Sequence, residues 1–212
     1  LYTLKEVDYV FKHTLEVNYR EEIQISPDMK VQFINTGHIL GSAAIKITTN
    51  NANKTTVLFS GDIGRYNKPI LQDPDSIPEV EYMITESTYG GKEHLKGNIC
   101  EDLKKIILNA IAKNGKIIIP SFAVERTQEL LYYIFCLLQK KEIPSIPIFL
   151  DSPMAAKAIK IFEDNTQLYD KDMLSYSKNN ISPFRFNELE IISSRDESKK
   201  VNSFKGSAII IA

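Results

Sequence analysis

One histidine and two carboxylates recur at the same kind of place in this 212-residue chain. His38 follows a β-rich run, Val31 to Asn35, that stops at Thr36-Gly37. Asp62 follows the run "TTVLFS", and Glu86 closes the run "YMITE". Glycine or small residues come after each of the three, so each side chain is expected at an open rim where a strand ends. An imidazole with a carboxylate suits a borderline metal such as zinc. A carboxylate can bridge two such ions, each of which lowers the pKa of bound water toward ~7. The signal is the repeated placement, because no local ligand string of the H-E-x-x-H kind is present. Taken singly, each residue has an ordinary reading. A lone histidine at a strand end is commonly a loop residue, "GD" after a strand is turn chemistry, and Glu86 suits a turn or the start of a helix.

The elements that must position these residues follow from periodicity. Thr3 to Leu15 reads as a helix, with Thr3 as N-cap and Glu6 three residues later as in a capping box. "MKVQFINT" and "AAIKITT" alternate apolar and polar residues and read as strands on either side of the His38 loop. "TTVLFS" and "YMITE" are two more strands, joined by a loop with Pro69, Pro74 and Pro78. From about Asn98 the pattern changes. "ICEDLKKIILNAIAKN" is an amphipathic helix closed by Gly115, and "VERTQELLYYIFCLLQKK" is a second helix. "SPMAAKAIKIFED" is a third, with Ser152 as N-cap and Pro153 in its first turn. Between them, "KIIIP" and "IPIFLD" read as strands that are apolar on both faces. Such an alternation indicates a parallel α/β unit, whose function gathers at the carboxyl ends of the strands. "PSFAVER" and "DSPMA" sit at such ends. The tail from Leu168 to Lys205 reads as loop with one or two short strands, before a last strand in "SAIIIA".

Composition is that of an ordinary globular chain, 43% hydrophobic and 25% charged. The net charge of -1 gives no global basic signature, so a nucleic-acid partner would have to meet a local patch. Cys100 and Cys136 fall in helical stretches and read as buried thiols of a reducing, cytoplasmic compartment. No apolar run approaches the ~20 residues of a membrane span, and no signal-peptide pattern is present. No membrane association is therefore expected.

The strings "TGHILGSA", "LFSGDIGR", "ITESTYGG", "IIIPSFAVERTQELL" and "IFLDSPMA", in this order and spacing, resemble the metallo-β-lactamase superfamily in its β-CASP branch. That branch includes RNase J-type and cleavage-and-polyadenylation-type nucleases. The match covers most of residues 1 to 160. It implies an α/β fold, with part of a metallo-β-lactamase αββα sandwich in residues 1–96. Residues 97–212 would form a β-CASP domain with a parallel, Rossmann-like sheet. His38 matches a zinc-ligand histidine and Asp62 the carboxylate that bridges two zinc ions. Glu86, in "ESTYG", matches an acidic residue that orients a histidine from much later in such chains. His94 falls where relatives often carry a histidine, with a packing or surface role as the alternative, and His13 fits no motif.

The resemblance implies a zinc-dependent hydrolase of RNA phosphodiester bonds. In it the β-CASP domain guides single-stranded RNA, and a homo-oligomer or the subunits of a processing complex are open as partners. Phosphate contacts would come from Ser121, Arg126, Ser152 and the helix start at Ser152-Pro153. Arg65, after Asp62, is a similar candidate. For Arg126 the alternative is an ion pair with Glu125 or Glu129. Tyr89 and Phe122 could stack on bases, with a core role open for Phe122. Two expected parts of the pattern are missing: the H-x-H-x-D-H ligand cluster and the later histidine motifs. The chain is therefore expected to be a middle slice of a longer protein, inactive alone and a weak zinc binder. Two other functions stay open: a DNA-acting β-CASP nuclease, and a non-catalytic paralogue that binds RNA or a partner.

Overall fold

A computed structural model describes residues 2–50, 54–93 and 97–212. The chain divides into two compact units, Leu1–Gly64 with Pro74–Ser87, and Arg65–Asp73 with Thr88–Ala212. The fold is α/β, and each unit has its own sheet.

In the first unit, helix α1 (Leu4–Lys12) leads to five strands: β1 (Glu22–Ser26), β2 (Met29–Asn35), β3 (Ala43–Thr49), β4 (Thr55–Phe59) and β5 (Tyr82–Ile84). The sheet order is β1-β2-β3-β4-β5. The first three pairings are antiparallel, and β4–β5 is parallel. Ile34, Ala44 and Leu58 are buried on one face with Val80 against them, while Val31, Phe33, Ile45 and Ile47 on the other face are half-buried. Since β2 and β4 both run antiparallel to β3, their carboxyl ends lie at the same edge of the sheet. β5 runs with β4 and ends there too.

Two expectations for this unit are corrected. Helix α1 stops at Lys12 rather than Leu15, with His13 as its C-cap and its ring Nδ1–H donating to Tyr9 O at 2.7 Å. The capping box of Thr3 and Glu6 is present. Strand β1 is an element that the sequence reading left out. It is short and carries Glu22 and Gln24, and its pairing with β2 is irregular between Gln24 and Ser26, which blurs the alternation.

In the second unit, helices α2 (Ile99–Ala112), α3 (Arg126–Gln139) and α4 (Pro153–Asp164) alternate with β6 (Lys116–Ile119) and β7 (Ile148–Leu150). They are followed by a short 3-10 turn (Thr166–Leu168), α5 (Lys171–Lys178), β8 (Leu189–Ile191), α6 (Arg195–Ser203) and β9 (Ala208–Ile211). The sheet order is β6-β9-β7-β8, and every pairing is parallel. The interior strand β7 is buried throughout, as a strand covered on both faces must be. Strand β6 departs from that expectation. It stands at the edge, and its Ile118 is 70% exposed.

The tail is more regular than its sequence suggests. Its polar stretches form α5 and α6, each fixed by a side-chain cap. Asp170 accepts from the Met173 N–H, and Ser194 forms a capping box with Glu197. Helix α3 starts at Arg126, two residues later than its apolar pattern begins, because Glu125 has φ 69. Cys100 and Cys136 are free and half-buried rather than fully buried, and desolvation raises both thiol pKa values. Among the described residues no helix is long and apolar enough to cross a membrane.

Candidate metal centre

The first unit brings His38, Asp62 and Glu86 together at the edge where β2, β4 and β5 end. Each lies two or three residues beyond its strand, in a loop fixed by hydrogen bonds. In the first loop Ser42 is the hub. Its Oγ accepts from the backbone N–H of His38 at 3.0 Å and of Ile39 at 3.2 Å, and from Thr36 Oγ1 at 2.9 Å. Tyr19 donates to the Ser42 carbonyl at 3.0 Å. The turn before His38 needs a left-handed residue, which Gly37 supplies at φ +60.

The second loop is pressed against the first. Gly64 N–H donates to Thr36 O at 2.8 Å. A Cβ on Gly64 would stand 2.1 Å from Gly37 O and 2.7 Å from His38 N, so backbone meets backbone here with no room for a side chain. The third loop is tied to the second by Glu86. Glu86 Oε1 accepts from Ile63 N–H at 2.7 Å, and Glu86 N–H donates to Ser60 Oγ at 3.0 Å. Thus Glu86 braces the Asp62 loop from both its side chain and its backbone.

The result is a His38 Nε2 to Asp62 Oδ2 distance of 3.6 Å, with the two side chains 42% and 69% exposed. Two ligands about 2.0–2.2 Å from one tetrahedral zinc stand roughly 3.3–3.6 Å apart. Donor type and spacing therefore both suit a shared ion. Among the described residues no third His, Cys, Asp or Glu completes the set. His94 lies outside the described residues.

The second unit carries the phosphate candidates. Strand β9 lies between β6 and β7, so Ser121 after β6 and Ser152 after β7 flank its carboxyl end. Ser121 N–H donates to Ala212 O at 2.8 Å, and Ser121 Oγ accepts from Thr127 Oγ1 at 3.2 Å. Ser152 Oγ is occupied as the cap of α4, accepting from Ala155 N–H at 3.3 Å. Ser152→Ala is therefore expected to destabilise the chain by about 1 kcal/mol. Thermal melting would show this as a drop of about 2–4 °C, and an unchanged melting temperature would remove the capping role. Phe122 is 83% exposed, which excludes the core role left open for it, and Tyr89 is exposed as well.

Arg126 Nη1 pairs with Glu129 Oε2 at 2.6 Å. This is the ion pair given above as the alternative for Arg126, and it belongs to a larger cluster whose Lys68 the sequence reading missed. Lys68 Nζ lies 3.0 Å from Glu129 Oε1 and 3.6 Å from Glu125 Oε1, and both glutamates are buried. Lys68 is remote in sequence, and no spacing rule joins a residue of the proline-rich loop to a helix start nearly sixty positions on. Glu125 is the centre of a γ-turn, with φ 69, ψ -60 and a 2.9 Å bond from Arg126 N–H to Val124 O. A non-glycine residue in this conformation is strained. The strain sits at the carboxyl end of β6, beside Ser121 and Phe122, and the ion pairs with Lys68 help to hold it.

Comparisons with known proteins agree with this architecture. Residues 127–212 match the family model of the Beta-Casp domain. Ribonuclease TTHA0252 of Thermus thermophilus is 28% identical over 209 residues, which cover 98% of this chain and 47% of that protein. Transcription termination factor FttA of Methanosarcina mazei is 31% identical over 208 residues, covering 95% of this chain and 32% of that protein. An RNase J-like protein of Methanocaldococcus jannaschii is 29% identical over 191 residues, covering 86% and 44% respectively. The chain thus spans less than half the length of each of these relatives.

Proposed function

We propose that the chain, which matches the Beta-Casp domain over residues 127–212 and is similar to ribonuclease-named relatives along most of its length, forms part of a zinc-dependent ribonuclease of the β-CASP branch of the metallo-β-lactamase superfamily. The observation that carries the reading is the 3.6 Å approach of His38 Nε2 to Asp62 Oδ2, at a sheet edge where Glu86 braces the Asp62 loop. His38 and Asp62 would hold the metal. Bound zinc supplies a hydroxide at neutral pH and stabilises the charge that develops on a phosphodiester.

This chain's own residues supply the positioning. Ser42 fixes the backbone that presents His38. Gly64 lets the Asp62 loop close against it, and Glu86 keeps that loop in place. Two donors make a weak zinc site on their own. The remaining ligands would come from a longer protein, and the 212 residues alone would hold zinc poorly and leave RNA intact. RNA is favoured over DNA as substrate because two of the relatives are named as ribonucleases and share most of this chain. Ser121 and Arg126 would meet phosphates, and Tyr89 and Phe122 offer exposed rings for stacking.

The test is cleavage of end-labelled single strands of RNA and DNA of the same sequence by the complete protein, with and without a zinc chelator. Chelator-sensitive cleavage of RNA, restored by added zinc, is the expected result. Cleavage of the DNA strand alone would move the reading to a DNA nuclease. A zinc-loaded protein that binds RNA and leaves it whole would make it a non-catalytic paralogue.

A further inference from the structure

The loop that carries Lys68 is held firmly to the second unit. Ile70 is fully buried although its φ is +83. A β-branched residue is an outlier there, and such strain persists only where the surroundings fix it. Three contacts fix it here. Asp170 N–H donates to Ile70 O at 2.8 Å, Gln72 N–H donates to Leu168 O at 3.0 Å, and Leu71 pairs with Tyr169 as an isolated bridge. Asn67, also left-handed at φ 58, donates its N–H to Asp73 Oδ1 at 2.7 Å. The loop thereby delivers Lys68, a lysine only 15% exposed in its side chain, to one place in that unit.

That place is the pair of carboxylates at the start of α3. Glu129 is divided between two cations, with Oε1 at 3.0 Å from Lys68 Nζ and Oε2 at 2.6 Å from Arg126 Nη1. Glu125 Oε1 lies 3.6 Å from the same Lys68 Nζ. Both glutamates are buried, whereas the Arg126 side chain is 56% exposed. Arg65 is exposed too. The charges of both arginines reach the Tyr133 hydroxyl, whose pKa is raised by burial first and then by Glu129, and lowered by Arg65 and Arg126. The exposed guanidinium groups thus stand in front of two buried carboxylates. Interior charges are weakly screened, so each carboxylate also acts on a phosphate that approaches Arg126. Without Lys68 the two would largely cancel the attraction of the guanidinium groups.

We infer that Lys68 is a positioning residue for RNA: it offsets Glu125 and Glu129 from behind, so that Arg126, with Arg65 nearby, presents positive charge to phosphate. The inference rests on the ribonuclease reading and adds a residue to it. Lys68 acts through Glu129 and Arg126 rather than by touching the strand.

The test is steady-state cleavage of single-stranded RNA by the complete protein at low salt, below the melting transition of each variant. Lys68→Met keeps the length of the stem and removes the charge. It should raise KM about tenfold with kcat within about twofold of the parent, and the difference should shrink at high salt. Lys68→Arg should keep the parent KM. Glu125→Gln removes one buried charge and leaves the Lys68–Glu129 pair, so it should lower KM below that of the parent. Combined with Lys68→Met it should bring KM back to the parent value, which a merely structural role for Lys68 does not predict. Should Lys68→Met fail to fold, Glu125→Gln alone decides, and a KM unchanged or raised overturns the inference. So does Lys68→Met with the parent KM, or a double variant that keeps the Lys68→Met defect. In each of these cases cleavage by the parent protein leaves the ribonuclease reading standing. A parent protein that cleaves no RNA would overturn that reading and this inference with it.

Discussion

Asp62→Asn in the complete protein should lower RNA cleavage by more than about a hundredfold. Loss of a residue that merely supports a metal ligand typically costs 10–100-fold, and loss of the ligand itself should exceed that. An amide is a poorer donor than a carboxylate and brings no charge to balance an ion. The substitution suits the question because Asp62 is 69% exposed in its side chain and its ion-pair neighbour among the described residues is His38. Melting should therefore stay within about 0.5 kcal/mol of the parent in stability, as for other exposed positions. Zinc content measured by mass spectrometry should fall together with activity. Cleavage within threefold of the parent would return Asp62 to the turn role that "GD" has in many chains, and the metal reading would go with it.

The second large effect is expected from a glycine. Gly64→Ala should destabilise the first unit by about 3 kcal/mol, the upper part of the range for forcing extra atoms into a packed place. The new Cβ would meet Gly37 O at 2.1 Å and Gly37 C at 2.3 Å. No rotamer relieves a clash between two stretches of backbone. The loops can only part, which breaks the Gly64 N–H to Thr36 O bond and carries His38 away from Asp62. Urea unfolding of the 212-residue chain would measure the stability loss, and zinc binding in the complete protein should fall as well. A loss below about 0.5 kcal/mol would mean that the two loops separate without cost, so that their contact positions nothing. Gly64 differs from Gly37, which is needed for its φ of +60 as well as for space beside Pro74.

The two effects rest on different kinds of information. The placement of His38, Asp62 and Glu86 was readable, because alternating runs such as "AAIKITT" announce strands and the residues after them must lie at a rim. Helices α2 and α4 were readable for similar reasons. Each has an amphipathic period and a capping residue, Asn98 or Ser152, whose side chain accepts from the first turn. Helices α5 and α6 were not read, although Ser194 and Glu197 spell a capping box. Both are short and polar, so their periodicity is faint, and what holds them is burial of single residues such as Met173 and Val201. Strand β1 was lost for the same reason.

The sequence by itself determined the fold class, the order of most elements, and which side chains could act as ligands, since these follow from local periods, caps and residue chemistry. Only the tertiary structure decided that Ser42 organises the His38 loop and that Gly64 is its neighbour. It also decided that Lys68 lies against Glu125 and Glu129. Each of these contacts depends on strand pairing or helix packing that returns distant segments to one place. Such contacts leave no period in the chain, because the energy that selects them is shared among residues far apart in sequence.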